Sequence, residues 1–154
     1  MTTQQPKRKW SDAYSCAVAL LARREHSVKE LVRKLKQREF EQTEIEEALE
    51  RLHTHRLQSD ERFAEAYVRM RERAGFGPVK IRLGLTERGV SDHLIDAYLP
   101  TTLEDWQSSA QRVWQKKFHG KQPGTIEERA KQTRFMLQRG FAYEHIKGIG
   151  FDEQ

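Results

Sequence analysis

Two adjacent acid pairs, Asp60 with Glu61 and Glu104 with Asp105, are the carboxylates that metal ligation or acid–base chemistry would require. Each pair lies in or just before the first turn of an expected helix, where the dipole favours negative charge, and Thr101 with Glu104 also fits a capping box. Capping is therefore the expected role. His53 and His55 stand two apart on a helix and point to opposite sides, which does not suit a shared metal, and His26, His93, His119 and His145 stand alone. The lone Cys16, one turn before Leu20 on an apolar-rich helix, reads as a small buried hydrophobe. It can form no internal disulfide, which fits a reducing compartment. Trp106, Trp114 and Phe118 could serve as base-stacking platforms, but their spacing is that of a buried helical stripe. With no phosphate loop, nucleophile elbow or HExxH motif, the expectation is a non-enzymatic protein with no catalytic residues, no metal and no cofactor.

The elements that carry these residues read as helices. Leu, Ile, Val and Phe make up only about a fifth of the chain, close to the level at which disorder becomes the default. The apolar residues nevertheless recur at helical spacing. Tyr14, Ala17, Val18 and Leu21 form one stripe, with Ser11 or Asp12 able to cap its first turn. A capping box of Ser27 and Glu30 opens a second helix that carries Val28, Leu31, Val32 and Leu35 inward and ends near Arg38. The third, with Ile45, Leu49 and Leu52, starts either at a Thr43–Glu46 capping box or a turn earlier near Glu41. No stretch alternates with the period of two that a strand needs, so the fold class is all-α.

The pattern repeats. Leu35, Arg38, Phe40, Ile45 and Leu49 line up with Leu85, Arg88, Val90, Ile95 and Leu99 at a constant offset of 50, and Met136, Arg139, Phe141 and Ile146 follow at 51, with Gly150 at the last position. Gly89 and Gly140 stand where a helix ends in a left-handed residue, whereas the first copy has Glu39. Ser59 or Asp60 caps the helix that opens the second copy, Gly77 and Pro78 start its second helix, and Thr125 caps the corresponding helix of the third copy. The expected architecture is three tandem three-helix repeats, 10–56, 57–101 and 102–150, forming an elongated, curved body between a basic tail at 1–9 and a short tail at 151–154.

Charge follows the same units. The net charge of +5 conceals seven basic and two acidic residues from Arg23 to Arg38, then six acidic and no basic residues from Glu39 to Glu50. Basic stretches recur over Arg62–Arg88, Arg112–Lys121 and Arg129–Arg139. A basic stripe along a helical body would track a polyanion, although charged runs are also ordinary solvated faces. Arg38, Arg88 and Arg139 have a structural account of their own, since a cation in the last turn complements the helix dipole. The N-terminal MTTQQPKRKW lacks an apolar stretch behind its basic cluster, and no run is long enough for a membrane span. The expectation is a cytoplasmic protein with no membrane contact.

Three segments carry a family resemblance: ALLARREHSVKELVRKL (Ala19 to Leu35), LQSDERFAEAYVRMRERAGFGPVKIRLGLTERGV (Leu57 to Val90) and RFMLQRGFAYEHI (Arg134 to Ile146). They resemble the RecX family, bacterial regulators of the RecA recombinase, over roughly residues 11 to 149. Asp60, Glu61, Arg62, Phe63 and Ala64, then Gly77, Pro78 and Ile81, then Arg88 and Gly89 fall at the family's spacing. The resemblance implies a monomer lying in the groove of the RecA filament. There it would modulate, mainly by inhibition, ATP hydrolysis, strand exchange and coprotease activity in DNA repair, recombination and the SOS response. Weaker contact with single- or double-stranded DNA is also implied. The chain departs from the family's pattern at Glu39, in place of glycine, and at Ala142, in place of a capping residue. The electrostatic candidates for the RecA or DNA interface are Arg23, Arg24, Arg33 and Lys34 in the first repeat, Arg71, Arg73, Lys80 and Arg82 in the second, and Arg129, Lys131 and Arg134 in the third. The alternatives from other classes are a helical-repeat protein that binds nucleic acid alone and a structural adaptor without RecA.

Overall fold

The computed structural model describes residues 10, 12–147 and 149, so Lys7, Arg8, Lys9, Ser11 and Gly150 lie outside the described residues. Those residues form only helices: α1 Ala13–Arg23, α2 Val28–Gln37, α3 Gln42–Thr54, α4 Asp60–Arg73, α5 Pro78–Glu87, α6 Asp92–Tyr98, α7 Leu103–Phe118, α8 Ile126–Gln138 and α9 Tyr143–Ile146. They group in threes, and the chain divides into two compact units, Met1–Phe63 and Ala64–Gln154. The second unit holds most of α4 together with α5 to α9, so the second and third repeats share one body.

In the first unit Ala13, Cys16, Ala17 and Leu20 of α1 pack with Leu31 and Leu35 of α2, Phe40, and Ile45, Ala48 and Leu52 of α3. Small residues along α1 suit close packing against α3. Asp12 caps α1 by accepting from the Ser15 N–H at 2.7 Å. The Ser27–Glu30 box forms in both directions, at 3.1 and 3.2 Å. Helix α3 takes the earlier start: Glu41 is its N-cap, and the Glu41 N–H donates to the Glu44 carboxylate at 3.3 Å, so the Thr43–Glu46 box is not the start used. Glu39 adopts φ 64°, the left-handed conformation that glycine supplies in the other two copies. The chain direction after α2 is therefore kept, at a steric cost of about 1–2 kcal/mol.

In the second unit Tyr67, Val68, Ile81, Leu85, Val90, Ile95 and Leu99 form one part of the core, and Trp106, Ala110, Trp114, Met136, Phe141, Ile146 and Ile149 another. The indole N–H of Trp114 donates to Gln132 at 2.8 Å, and Gln132 in turn donates to the Lys121 carbonyl at 3.0 Å, which fastens α8 and the preceding loop to α7. The Trp106 indole donates to the Pro100 carbonyl at 2.7 Å. Thr102, not Thr101, is the N-cap of α7, and it makes no side-chain capping bond; the box expected from Thr101 and Glu104 is absent. Thr125 caps α8 through the Glu128 N–H at 3.1 Å. Ala142 has no capping side chain, but its own N–H donates to the His145 ring at 2.9 Å, so His145 does the work of half a capping box.

The two repeats of this unit meet backbone to backbone. Gly77 N–H donates to the Arg139 carbonyl at 2.8 Å and Val79 N–H to the Gly140 carbonyl at 2.9 Å. A Cβ on Gly77 would lie 2.5 Å from Gly140 backbone atoms, and Gly140 itself has φ 97°. Glycine at both positions is what allows the start of α5 to approach the end of α8.

Candidate interaction surface

Two of the first-repeat candidates, Arg24 and Lys34, belong to a buried polar junction. Arg24, the C-cap of α1, forks onto Glu30 with contacts of 3.1 and 3.0 Å and also donates to the Glu25 carbonyl. The Glu30 side chain is 8% exposed. Burial works against its charge, but the Arg24 fork, the Ser27 N–H and the nearby positive charge outweigh it and hold the carboxyl below its ordinary range. His26, 1% exposed, lies 3.0 Å from the Arg24 carbonyl through Nδ1 and 3.2 Å from the Lys34 ammonium through Nε2. A neutral ring with its proton on Nδ1 satisfies both contacts, because Lys34 can only donate. Burial lowers the affinity of His26 for a second proton, and burial followed by the charge of Arg24 lowers that of Lys34.

Asp60 enters this junction from the start of α4, where its carboxylate accepts from the Val28 N–H at 3.0 Å and from Gln58 at 2.8 Å. It thus caps the first turn of α2, and Ser59 caps α4 through the Arg62 N–H at 3.1 Å. Gln58 also donates to the His26 carbonyl and is 2.8 Å from His53. Arg24 and Lys34 are therefore tied into the fold, whereas Arg23 and Arg33 are exposed and carry no ion pair among the described residues. Cys16 is fully buried, and burial raises its thiol pKa, so it packs as a hydrophobe.

The second-repeat candidates divide in the same way. Arg82 pairs with Asp96 at 2.6 Å on an exposed face. Arg71 lays its guanidinium 3.8 Å over the Phe76 ring, and Lys80 stands 5.1 Å from the same ring and donates to the Gln138 carbonyl at 3.4 Å. Arg73 is exposed at the end of α4, and Arg129, Lys131 and Arg134 are exposed along α8, with no ion pair among the described residues.

The three equivalent arginines do different things. Arg38 and Arg88 donate back to carbonyls of their own last turn, Lys34 at 3.4 Å and Gly84 at 3.0 Å, as a dipole-complementing cation should. Arg139 instead reaches the Ala74 carbonyl at 2.8 Å and stands 4.4 Å from the Phe76 ring and 5.9 Å from Phe135. It lines a cleft of about 440 Å³ together with Arg73, Arg112, Lys116 and Lys117. Of these five cations only Arg73 is among the interface candidates read from the sequence, and Arg139 was expected only to complement its own helix end. The Arg112–Lys121 run was visible as a basic stretch, but its meeting with Arg139 depends on how α7 and α8 pack.

No group of three or more His, Cys, Asp or Glu residues stands in metal-binding proximity among the described residues, and no helix there is long and apolar enough to cross a membrane. Residues 13–52, 59–99 and 104–149 match the first, second and third three-helix domains of RecX. The chain belongs to the RecX family. The Regulatory protein RecX of Pseudomonas entomophila (strain L48) is 45% identical over 130 residues, covering 84% of each chain. That of Legionella pneumophila (strain Corby) is 41% identical over 137 residues, covering 89% of this chain and 91% of its own. Among solved structures, a crystal structure of regulatory protein RecX aligns with a TM-score of 0.77 at 26% identity, covering 89% of this chain and 70% of the other. RecX from Lactobacillus salivarius shares the fold with a TM-score of 0.72 at 23% identity, covering 89% of this chain and 91% of its own. The RecX family assignment carries a regulatory role and accounts for the three-helix repeats.

Proposed function

We propose that this chain binds the RecA recombinase filament and modulates it, mainly by inhibiting its ATPase, recombinase and coprotease activities. The observation that carries this reading is the ordered set of three RecX domains over most of the chain. The repeats, bounded near residues 57 and 102, act as successive contact modules, and the protein works in the cytoplasm as a monomeric regulator without a catalytic step of its own. The exposed cations Arg23, Arg33, Arg73, Arg129, Lys131 and Arg134 are the free charges of the contact surface. Arg24, Lys34, Arg71, Lys80 and Arg82 contribute from tethered positions.

The test is DNA-dependent ATP hydrolysis by RecA with this protein added below RecA stoichiometry. Suppression is expected, and an unchanged rate at every ratio rejects the reading. Charge reversal of one group per repeat should weaken suppression; wild-type suppression by all three variants would reject the residue choice. A second reading, direct nucleic-acid binding, draws on the unpaired basic residues of α8. It requires single-strand affinity to fall with salt at a log-log slope of about −0.7 per phosphate neutralised. A flat response rejects it.

A further inference from the structure

The cleft at the end of α4 gathers charge that the fold itself does not neutralise. Arg73, Arg112, Lys116, Lys117 and Arg139 line it, and none of them has a carboxylate ion-pair partner among the described residues. The one acidic lining residue, Glu72, faces the Ser109 hydroxyl at 3.5 Å, and the same hydroxyl accepts from Arg112 at 3.0 Å. Five cations against one carboxylate leave a net charge of about +4 whose self-repulsion a bound anion would relieve.

Part of the site is built rather than merely charged. Arg139 is held by the Ala74 carbonyl and by the Phe76 ring, which fix its guanidinium at the wall of the cleft. Gly75, at φ 89°, makes room for it: a Cβ there would stand 2.9 Å from the Arg139 guanidinium and 3.2 Å from Val113. The aromatic wall is already engaged, because Phe135 packs edge-on against Phe118 at 5.4 Å and has Lys117 at 5.2 Å and Arg139 at 5.9 Å over its ring. A nucleobase would have to displace these contacts to stack. The charges also converge on one concavity instead of following a line, as an extended strand with one charge per phosphate would require.

We propose that this cleft is a binding site for a compact oligophosphate, either inorganic or the phosphate chain of a nucleotide. The proposal is independent of RecA, and so is its test. The full chain is titrated calorimetrically with inorganic tripolyphosphate, ATP and inorganic phosphate at matched ionic strength. Saturable one-to-one binding of tripolyphosphate is expected, at least about tenfold tighter than phosphate. Equal affinity for ATP marks the phosphate chain alone as the ligand, and tighter ATP binding marks a nucleotide.

Arg112→Gln with Lys116→Gln, both at exposed positions, should weaken tripolyphosphate binding about tenfold or more, as should Lys117→Gln with Arg73→Gln. Arg129→Gln with Lys131→Gln, which do not line the cleft, should change it less than about twofold. Absence of saturation, equal weakening by the α8 control, or saturable binding of a single-stranded oligonucleotide without any of tripolyphosphate would each overturn the assignment.

Discussion

The junction around Glu30 in the first unit and the surroundings of Arg139 in the second both follow an arginine-rich stretch, yet they handle positive charge in opposite ways. In the first, Arg24 is answered by a nearly buried carboxylate, and Lys34 is drawn against a neutral histidine. In the second, Arg71 and Arg139 are positioned by an aromatic ring and a backbone carbonyl, groups that orient a cation without cancelling its charge. A basic stretch in sequence therefore does not measure the charge a surface can offer. The partner type decides it.

The comparison is broken most severely at the glycine contact of the second unit. Gly77→Ala places a methyl against the Gly140 backbone, where no flexible side chain can yield, and should cost about 3 kcal/mol or more. Hydrogen exchange should rise in α5 and α8 and leave α1 to α3 unchanged; uniform loss of protection would show that the two units do not unfold separately.

Glu30→Ala tests the other side. It removes the acceptor for Arg24 and for the Ser27 N–H and should destabilise α1 to α3 by about 2 kcal/mol, discounted because Arg24 is 47% exposed. Arg82→Ala, which breaks an exposed pair, should cost under about 1 kcal/mol. Equal costs in urea unfolding would erase the distinction between a buried and an exposed partner.

The same junction makes the first unit acid-sensitive. His26 has a lowered folded pKa, so its contribution is complete above the unfolded value of about 6.5 and diminishes as pH falls through and below it. Glu30 is also lowered, so its contribution is present above the ordinary Glu range near pH 4.3 and is lost as pH falls through the folded value. The His26→Gln variant should flatten the limb beginning near pH 6.5 and leave the lower one, as followed by exchange in α1 to α3. An unaltered upper limb would show that His26 does not supply it.

Smaller effects separate the equivalent positions. Arg139→Ala should cost about 1–2 kcal/mol through the lost carbonyl bond and ring contact, against under about 1 kcal/mol for the exposed Arg38→Ala. Glu39→Gly should stabilise the first unit by about 1 kcal/mol, bringing its left-handed position into line with Gly89 and Gly140. A null result for Glu39→Gly in urea unfolding would mean that flexibility gained by the unfolded chain offsets the relieved strain.

Much of this architecture was legible because helix patterning is local. The stripes of α2 and α3, the Ser27–Glu30 box, the Gly77–Pro78 start and the Thr125 cap depend on residues within one or two turns. On α1 the buried line is Ala13, Cys16, Ala17 and Leu20, so the expected stripe was one position off: Tyr14, Val18 and Leu21 are only partly buried. Competing local signals were less readable. Glu41 with Glu44 prevailed over Thr43 with Glu46, and Thr102 capped α7 without the expected box, because entry into these helices is set by the preceding turn as well as by capping preference. Ala142 found its acceptor in His145, a residue type that the capping-box pattern does not include.

By itself the sequence determined the helices, their threefold repetition and the alternation of basic and acidic segments, since each is a matter of near neighbours and of a constant offset along the chain. Only the tertiary structure decided that Asp60 caps α2, that Arg24 belongs to Glu30, and that Arg139 leaves its own helix end for Ala74. It also decided which cations converge on one cleft. Arg24 and Glu30 are six positions apart and the other two pairings join residues tens of positions apart, but the geometry of all three follows from how the helices pack, which neither periodicity nor charge counting contains.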